Sequence, residues 1–413
     1  MKHSFYNIIY KVKKRGYLIF NTLNQVLIFI SYNDYSDFLE MNIQNPNYID
    51  WVKQGLIVDK NTNEYQEKLN KLNVNCGQII TLFTTTTCNA RCDYCFESGI
   101  KTLYMTESQA QEIAHQIIKS ISANRLHISW FGGEPLLNTK AIDTITSIIK
   151  PYCETNNIKY TASVITNGSL IDNEIISKIK NDWNVLSVQI TLDGTKKKYN
   201  KIKNYADKSN FDKVINNIKR LSEQQRVTIR VNFNKNNLRN CLKLVKYLNK
   251  IGLTREKIYL YFAPISFSFK NKNELNKLYK KIFFYLVKYG YIKSLSYFNF
   301  HLAKTHCQAD QPNSFCIFPN GNVSKCQRER PELSTVSIFE DNWLNKLNNN
   351  FTNQKEINNF ECNKCKILPL CCYGCKIQDQ NILTKYHCER CFMYADCMPA
   401  IMECLEKIYL KRK

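Results

Sequence analysis

Residues 78–96 read QIITLFTTTTCNARCDYCF. The first part, Ile79–Thr84, is an apolar, β-branched run of strand length. It leads into a polar segment carrying Cys88, Cys92 and Cys95, spaced Cys-x3-Cys-x2-Cys. A structural zinc site closes with four donors, usually Cys or His. This loop supplies three thiols, and neither His nor a fourth Cys lies within it. Cys76, before the strand, is the nearest spare. Thiolates select iron–sulfur clusters, zinc or copper(I). Three of them on one loop suit a cubane cluster with one iron left open to a chelating ligand.

The same strand-then-loop pattern repeats outward from this stretch. Apolar runs at Leu126–Phe131, Tyr160–Thr166, Val185–Leu192, Val227–Phe233 and Ile258–Ala263 alternate with helical spacing. Thr106-Glu107-Ser108-Gln109 is a capping-box start for a helix reaching about Ser122. Phe211–Leu221 and Leu238–Asn249 have helical spacing too. Six β/α units of this length predict an α/β fold, a partial (β/α)6 TIM-like barrel. In such barrels chemistry sits at the C-terminal strand ends. The unusual residues fall there: the Cys88 loop, Gly132-Gly133-Glu134-Pro135, Thr166-Asn167-Gly168, Thr191-Leu192-Asp193-Gly194, and Arg230, Asn232 and Asn234. Each alone is an ordinary turn residue; together they mark a rim.

Composition bounds the remainder. The chain has 413 residues, 44% hydrophobic and 23% charged, which is globular and long enough for two or three domains. Lys and Arg exceed Asp and Glu by 58 − 35 = 23. That excess is scattered, with no arginine-rich block, so no nucleic-acid partner is expected. The N-terminus lacks a secretory signal, and the apolar stretch Tyr17–Ile30 is broken by Asn21–Gln25. It reads as two strands around a turn, with no membrane span. Eighteen cysteines in a chain expected to be cytoplasmic point to metal or redox chemistry.

The boundaries predicted are 1–75 for a small α+β (winged-helix-like) module, 76–270 for the barrel, 271–300 for a helical linker, and 301–413 for a Cys-rich domain. The last has few periodic runs and is expected to be held by its metals.

The Cys88–Cys95 spacing, with Tyr94 before the last Cys, resembles the signature of the radical SAM superfamily. Gly132–Pro135 looks like the S-adenosylmethionine (SAM) motif of that family. The resemblance implies a [4Fe–4S] cluster on Cys88, Cys92 and Cys95, with SAM on the open iron. One electron then cleaves SAM to a 5′-deoxyadenosyl radical that abstracts hydrogen from substrate. Gly132 and Gly133 would let backbone approach the ligand. Glu134 would accept from its ammonium, and Asn167 and Thr191 would hold its carboxylate or ribose. The family often has an arginine near position 203; this chain has Lys203, to which no contact is assigned. No catalytic acid or base stands out.

The downstream cysteines match the SPASM extension of radical SAM enzymes, which implies two auxiliary [4Fe–4S] clusters. By this resemblance the first takes Cys307, Cys326 and Cys375, with Cys316 as its candidate fourth ligand. The second takes Cys362, Cys365, Cys371 and one of Cys391 or Cys388, Cys391 being favoured. Ile317–Val323 reads as a hairpin with an Asn-Gly turn that brings Cys316 and Cys326 together. The remaining cysteines are expected to be packing residues. Cys362-x2-Cys365 and Cys388-x2-Cys391 are also spaced like a zinc ribbon, a reading that leaves Cys307, Cys371 and Cys375 unused.

The N-terminal "YLIFN" strand, turn, second strand and "GLIV" segment resemble the leader-recognition region of ribosomal peptide maturases. The implied function is a radical SAM peptide maturase installing a thioether, another cross-link or an oxidation. Its implied partners are a precursor peptide and a small electron donor such as flavodoxin or ferredoxin. The alternatives are an anaerobic sulfatase-maturating enzyme forming formylglycine, and a non-catalytic iron–sulfur or zinc protein.

Overall fold

A computed structural model describes residues 1–71, 77–265, 272–300, 302, 308–352, 360–372 and 397–410. Cys76, Cys307, Cys375, Cys388 and Cys391 lie outside the described residues.

The chain opens on β1 (Lys2–His3), β2 (Asn7–Val12), β3 (Gly16–Asn21) and β4 (Val26–Ser31). Two helices, Tyr32–Glu40 and Tyr48–Lys53, lead to β5 (Ile57–Val58) and the helix Glu64–Lys71. Strands β2, β3 and β4 form an antiparallel sheet, and β1 pairs with β5. The expected hairpin is β3–β4; the sequence reading missed β2, whose lysine and tyrosine hide its alternation. One face of the sheet, with Ile19 and Ile30, packs on Phe38, Trp51, Leu56 and Ile57. From the other face Leu18 and Phe20, with Val12, join the main core.

All six predicted barrel strands are present: β6 (Gln78–Thr85), β7 (Arg125–Gly132), β8 (Lys159–Thr166), β9 (Val185–Thr191), β10 (Val227–Phe233) and β11 (Ile258–Pro264). They pair in parallel and in sequence order. Among the described residues the sheet ends at β11 on one side, so the barrel is partial and open. Alternate residues such as Tyr160, Ala162 and Val164 are buried in the main core. The intervening set, including His127, Thr161, Ser163, Gln189 and Arg230, is only partly buried. That period-2 division makes an apolar outer wall and a polar inner wall. The helix Glu107–Ser120 carries the full capping box on Thr106 and Gln109 and buries Ala110, Ile113, Ala114 and Ile117. Burial of each isoleucine contributes roughly 2 kcal/mol.

On the other side, β12 (Phe315–Ile317) adds in parallel to β6, with Cys316 opposite Thr81. It turns back antiparallel as β13 (Val323–Ser324). The Asn-Gly hairpin is as expected: Gly321 has φ +84°, and a Cβ there would lie 2.2 Å from the Phe339 ring. No local pattern signals that this hairpin extends the barrel sheet.

The helix Lys272–Lys288 packs against the C-terminal helix Met398–Leu410. The N-terminal sheet docks on the same C-terminal region. Tyr10 donates to Glu406 (3.1 Å), Phe29 stacks on Tyr409 (5.7 Å between centroids), and Lys366 Nζ donates to the Asn7 carbonyl (2.8 Å). No helix among the described residues is long and apolar enough to cross a membrane.

Candidate functional site

The Cys88 loop follows β6 directly, and its backbone is pinned by the turn after β7. Gly133 N donates to Thr85 O (3.1 Å) and Glu134 N to Thr87 O (2.9 Å). A Cβ on Gly132, which has φ +125°, would lie 2.1 Å from Thr85 O; one on Gly133 would lie 2.4 Å from Thr87 O. These glycines were expected to admit a ligand. Here their missing side chains admit the strand that carries the cysteines.

Glu134 is fully buried and its carboxylate is already occupied. Oε1 accepts from Thr166 Oγ1 (2.7 Å) and Leu136 N (3.1 Å), and Oε2 from Asn167 N (2.7 Å). Burial pushes its pKa up, against these hydrogen bonds and the Lys203 charge. These hydrogen bonds lock the end of β7 to the end of β8. Asn167 is likewise turned inward. Its Nδ2 donates to Asn89 Oδ1 (2.7 Å) and approaches Cys88 Sγ (3.9 Å), while Oδ1 accepts from Ser169 N (2.9 Å). Thr191, at the end of β9, is partly buried and has no side-chain hydrogen bond among the described residues.

Tyr94 anchors the loop from the far side. Its hydroxyl donates to Asp193 Oδ2 and accepts from Asn232 Nδ2 (3.2 Å) and Lys203 Nζ (3.4 Å). Asp193 Oδ1 accepts from Asn232 N (2.8 Å). One tyrosine thus ties the loop to β10, to the residues after β9 and to the helix Lys196–Lys203. Burial, then the Asp193 charge, pushes the Tyr94 hydroxyl well above its ordinary value. Lys203, left unassigned from sequence, is 3% exposed and belongs to this network. Its only sequence-level signal was its position after the strand-4 motif.

Cys88, Cys92 and Cys95 are all partly exposed, and none is in a disulfide. Burial raises the Cys88 thiol to about 12 and raises Cys92 and Cys95 as well. The charge of Cys92 acts on both neighbours, so the three thiols share one locality. Among the described residues no three Cys, His, Asp or Glu side chains are drawn together tightly enough to hold a single metal ion. The donor set, three soft thiols without His or carboxylate, fits an iron–sulfur cluster in kind. A second observation suits a cationic ligand beside it. Glu97 Oε1 is buried with no hydrogen-bond partner, and burial with the nearby Glu134 charge raises that carboxyl to about 7. Sequence reading passed over Glu97, because a lone acid after a Cys motif carries no pattern.

An aromatic cluster flanks the loop. Phe96 lies parallel to Phe131 (6.3 Å between centroids), Phe131 meets Phe83 edge-on (5.0 Å), and Phe83 meets Phe318 (4.6 Å). Cys316 is completely buried in this cluster. Its thiol is pushed up by burial and then by the Cys326 charge. The hairpin therefore brings Cys316 and Cys326 near each other, as expected. Cys362 and Cys365 are joined by a tight turn, with Cys365 N donating to Cys362 O (3.0 Å). Cys371 is buried, and so are Cys153, Cys241, Cys372, Cys397 and Cys404 of the expected packing set.

The three-thiol loop at the mouth of a partial parallel barrel defines a class. Residues 82–254 match the radical SAM superfamily, so the chain carries a radical SAM domain, and it is an enzyme. Among curated proteins it is similar to a cysteine-type anaerobic sulfatase-maturating enzyme of Clostridium novyi (strain NT), 27% identical over 329 residues. That match covers 70% of this chain and 85% of the relative. Its fold is similar to that of native anSMEcpe with bound AdoMet, with a TM-score of 0.64 and 18% identity, covering 81% of this chain and all of that one. It is also similar to Streptococcus suis SuiB bound to precursor peptide SuiA, with a TM-score of 0.51 and 15% identity, covering 91% of this chain and 95% of that one.

Proposed function

We propose that the chain is a radical SAM maturase of a ribosomally made precursor peptide, in which it installs a thioether, another cross-link or an oxidation. The observation that carries this reading is the free side of the N-terminal sheet. Among the described residues β4 pairs with β3 alone. Beside it runs a groove of about 280 Å³, lined by Leu27–Ile30, Asp34, Asn47, Asp50, Trp51, Gln54 and Tyr409. An extended peptide can add to such an edge through main-chain hydrogen bonds, with alternate side chains entering the groove. Leu27 and Ile28 offer apolar contact, while Asp34 and Asp50 favour basic residues. The likeness to SuiB, solved with its precursor peptide, supports this reading over 91% of the chain.

Cys88, Cys92 and Cys95 would hold the [4Fe–4S] cluster. When bound with SAM, it supplies the electron that yields methionine and a hydrogen-abstracting 5′-deoxyadenosyl radical. The chain's own residues position and shield. Glu134 and Asn167 lock the rim behind Cys88, and Tyr94 fixes the loop between Cys92 and Cys95. The Phe83–Phe96–Phe131–Phe318 cluster keeps water from one flank, which protects a reactive radical. Glu97 is placed to accept from a cationic or hydroxyl group of SAM, with Gly132, Gly133 and Thr191 on the same rim. We assign Cys307, Cys316, Cys326 and Cys375 to one auxiliary cluster, and Cys362, Cys365, Cys371 and Cys391 (or Cys388) to a second. Their chemistry would be electron transfer, fed by a flavodoxin- or ferredoxin-like donor.

A second reading, sulfatase maturation to formylglycine, is favoured by the Clostridium novyi relative, 85% of whose length is matched. One experiment separates the two. The anaerobically reconstituted enzyme is given SAM, reductant and, in parallel, a peptide encoded beside its gene or a sulfatase-derived Cys peptide. Loss of two hydrogens with a new cross-link in the first supports the maturase. Formylglycine in the second, with the first unchanged, overturns it.

A further inference from the structure

Lys203 is a buried cation beside a metal ligand, and the rest of its helix throws it into relief. Lys196 is a largely exposed ion-pair partner of Asp212, whereas the Lys203 side chain is 4% exposed. A buried ammonium must be paired and hydrogen-bonded to persist. Lys203 Nζ lies 3.5 Å from Asp193 Oδ2, whose side chain is fully buried, and 3.4 Å from the Tyr94 hydroxyl. Its charge also acts on the Cys92 thiol. The rings of Tyr94 and Tyr199 have their centroids 5.9 and 5.8 Å from it. Its carbonyl accepts from Arg91 N (2.7 Å), so the cysteine loop is tied to the helix end at this residue. The position closes a helix, where the macrodipole favours a cation. Burial works against the charged form, but Tyr94, Asp193 and Cys92 outweigh it and hold the ammonium well above the ordinary lysine value.

We propose that Lys203 and Asp193 form a buried charge pair that sets the reduction potential of the site cluster through Cys92. The inference rests on Cys88, Cys92 and Cys95 holding that cluster. Reduction adds one electron, taken from a low-potential one-electron donor, and so adds one negative charge to the Cys92 environment. Because the Lys203 and Asp193 side chains are buried, their fixed charges are weakly screened and decide how well that charge is tolerated. The ammonium stabilises the reduced form and the carboxylate destabilises it. The two members of the pair therefore act with opposite sign. That signature separates an electrostatic role from a structural one, since loss of packing would degrade the site in the same way from either residue.

The test is a redox titration of the full-length, anaerobically reconstituted protein with dithionite. It follows the paramagnetic signal that SAM perturbs, so that any other cluster is set aside, and iron content is measured on every sample. Wild type lacking iron bound through Cys88 would refute the cluster assignment itself, separately from this proposal. Lys203→Met is expected to lower the reduced-to-oxidised ratio about tenfold at a fixed potential, a downward shift of 59 mV for a one-electron couple. Asp193→Asn keeps an acceptor for Tyr94 and Asn232 and is expected to shift the potential upward by a similar amount. Lys203→Arg should stay near wild type. Shifts of the same sign, or no shift in either variant at full iron content, overturn the proposal. So does a fall in SAM affinity at unchanged potential. If Lys203→Met takes up no iron, the upward shift in Asp193→Asn decides, and its absence overturns the proposal.

Discussion

The Cys88 loop and the Cys316 hairpin flank the same strand, β6, yet they present their thiols in opposite surroundings. The loop is bound by polar contacts: Asn167 at Cys88, and Tyr94 to Asp193, Asn232 and Lys203. Its cysteines keep some exposure. Cys316 sits on a paired strand, fully buried among Phe83, Phe131 and Phe318. A thiol on a polar, partly open loop is set up to meet ligands that come and go. One buried between aromatic rings is set up to stay where it is, either as packing or as a ligand of a closed centre.

The largest expected effect breaks one side of this comparison. Ala at Cys88, Cys92 or Cys95 should abolish 5′-deoxyadenosine release and remove the SAM-sensitive cluster signal; release that persists in any of the three refutes the site. Next, Gly133→Ala places a methyl against Thr87 O and must displace the loop. A loss of about 1–3 kcal/mol in unfolding free energy is expected, together with a sharp fall in SAM cleavage. An unchanged melting curve would mean that the turn does not pin the loop. Cys316→Ala tests the other side: iron content should drop while SAM cleavage survives. Wild-type iron with only a stability change would make Cys316 a packing residue. Glu97→Gln should weaken SAM binding about tenfold, roughly 1.4 kcal/mol, at full cluster occupancy, as equilibrium dialysis can show.

The smallest effect concerns His127, on the inner wall below the loop, whose ring nitrogens lie 2.9 Å from Thr161 Oγ1 and 3.0 Å from Ser163 Oγ. Burial lowers its pKa from the ordinary 6.5, so the folded state prefers the neutral ring. Its contribution to stability is present above that ordinary value and is lost as pH falls through the folded one. His127→Gln should flatten the acid side of the stability profile, measured by denaturant titration below pH 6.5.

The six barrel strands, the capping box at Thr106 and the hairpin at Gly321 were legible because each is local. Period-2 alternation, a side chain bonding three residues along, and a tight turn all leave their mark within a few positions. The three thiols and the strand-end rim were legible for the same reason. Strand β2 was hidden because Lys11 and Tyr10 blur its alternation, and its burial comes from contact with β3 and the C-terminal region.

What each rim residue does was decided elsewhere. Glu134 and Asn167 stand on the strand-end rim, and their hydrogen bonds to Thr166, to the backbone after β8 and to Asn89 come from segments distant in sequence. Lys203 and Glu97 gained significance only from burial, which depends on segments far away in sequence. The sequence by itself determined the barrel strands, the spacing of the three thiols and the likeness to the radical SAM superfamily, all carried by short-range pattern and spacing. Only the tertiary structure decided which polar groups meet, because the burial and pairing of a charge are properties of packed neighbours, which no local pattern records.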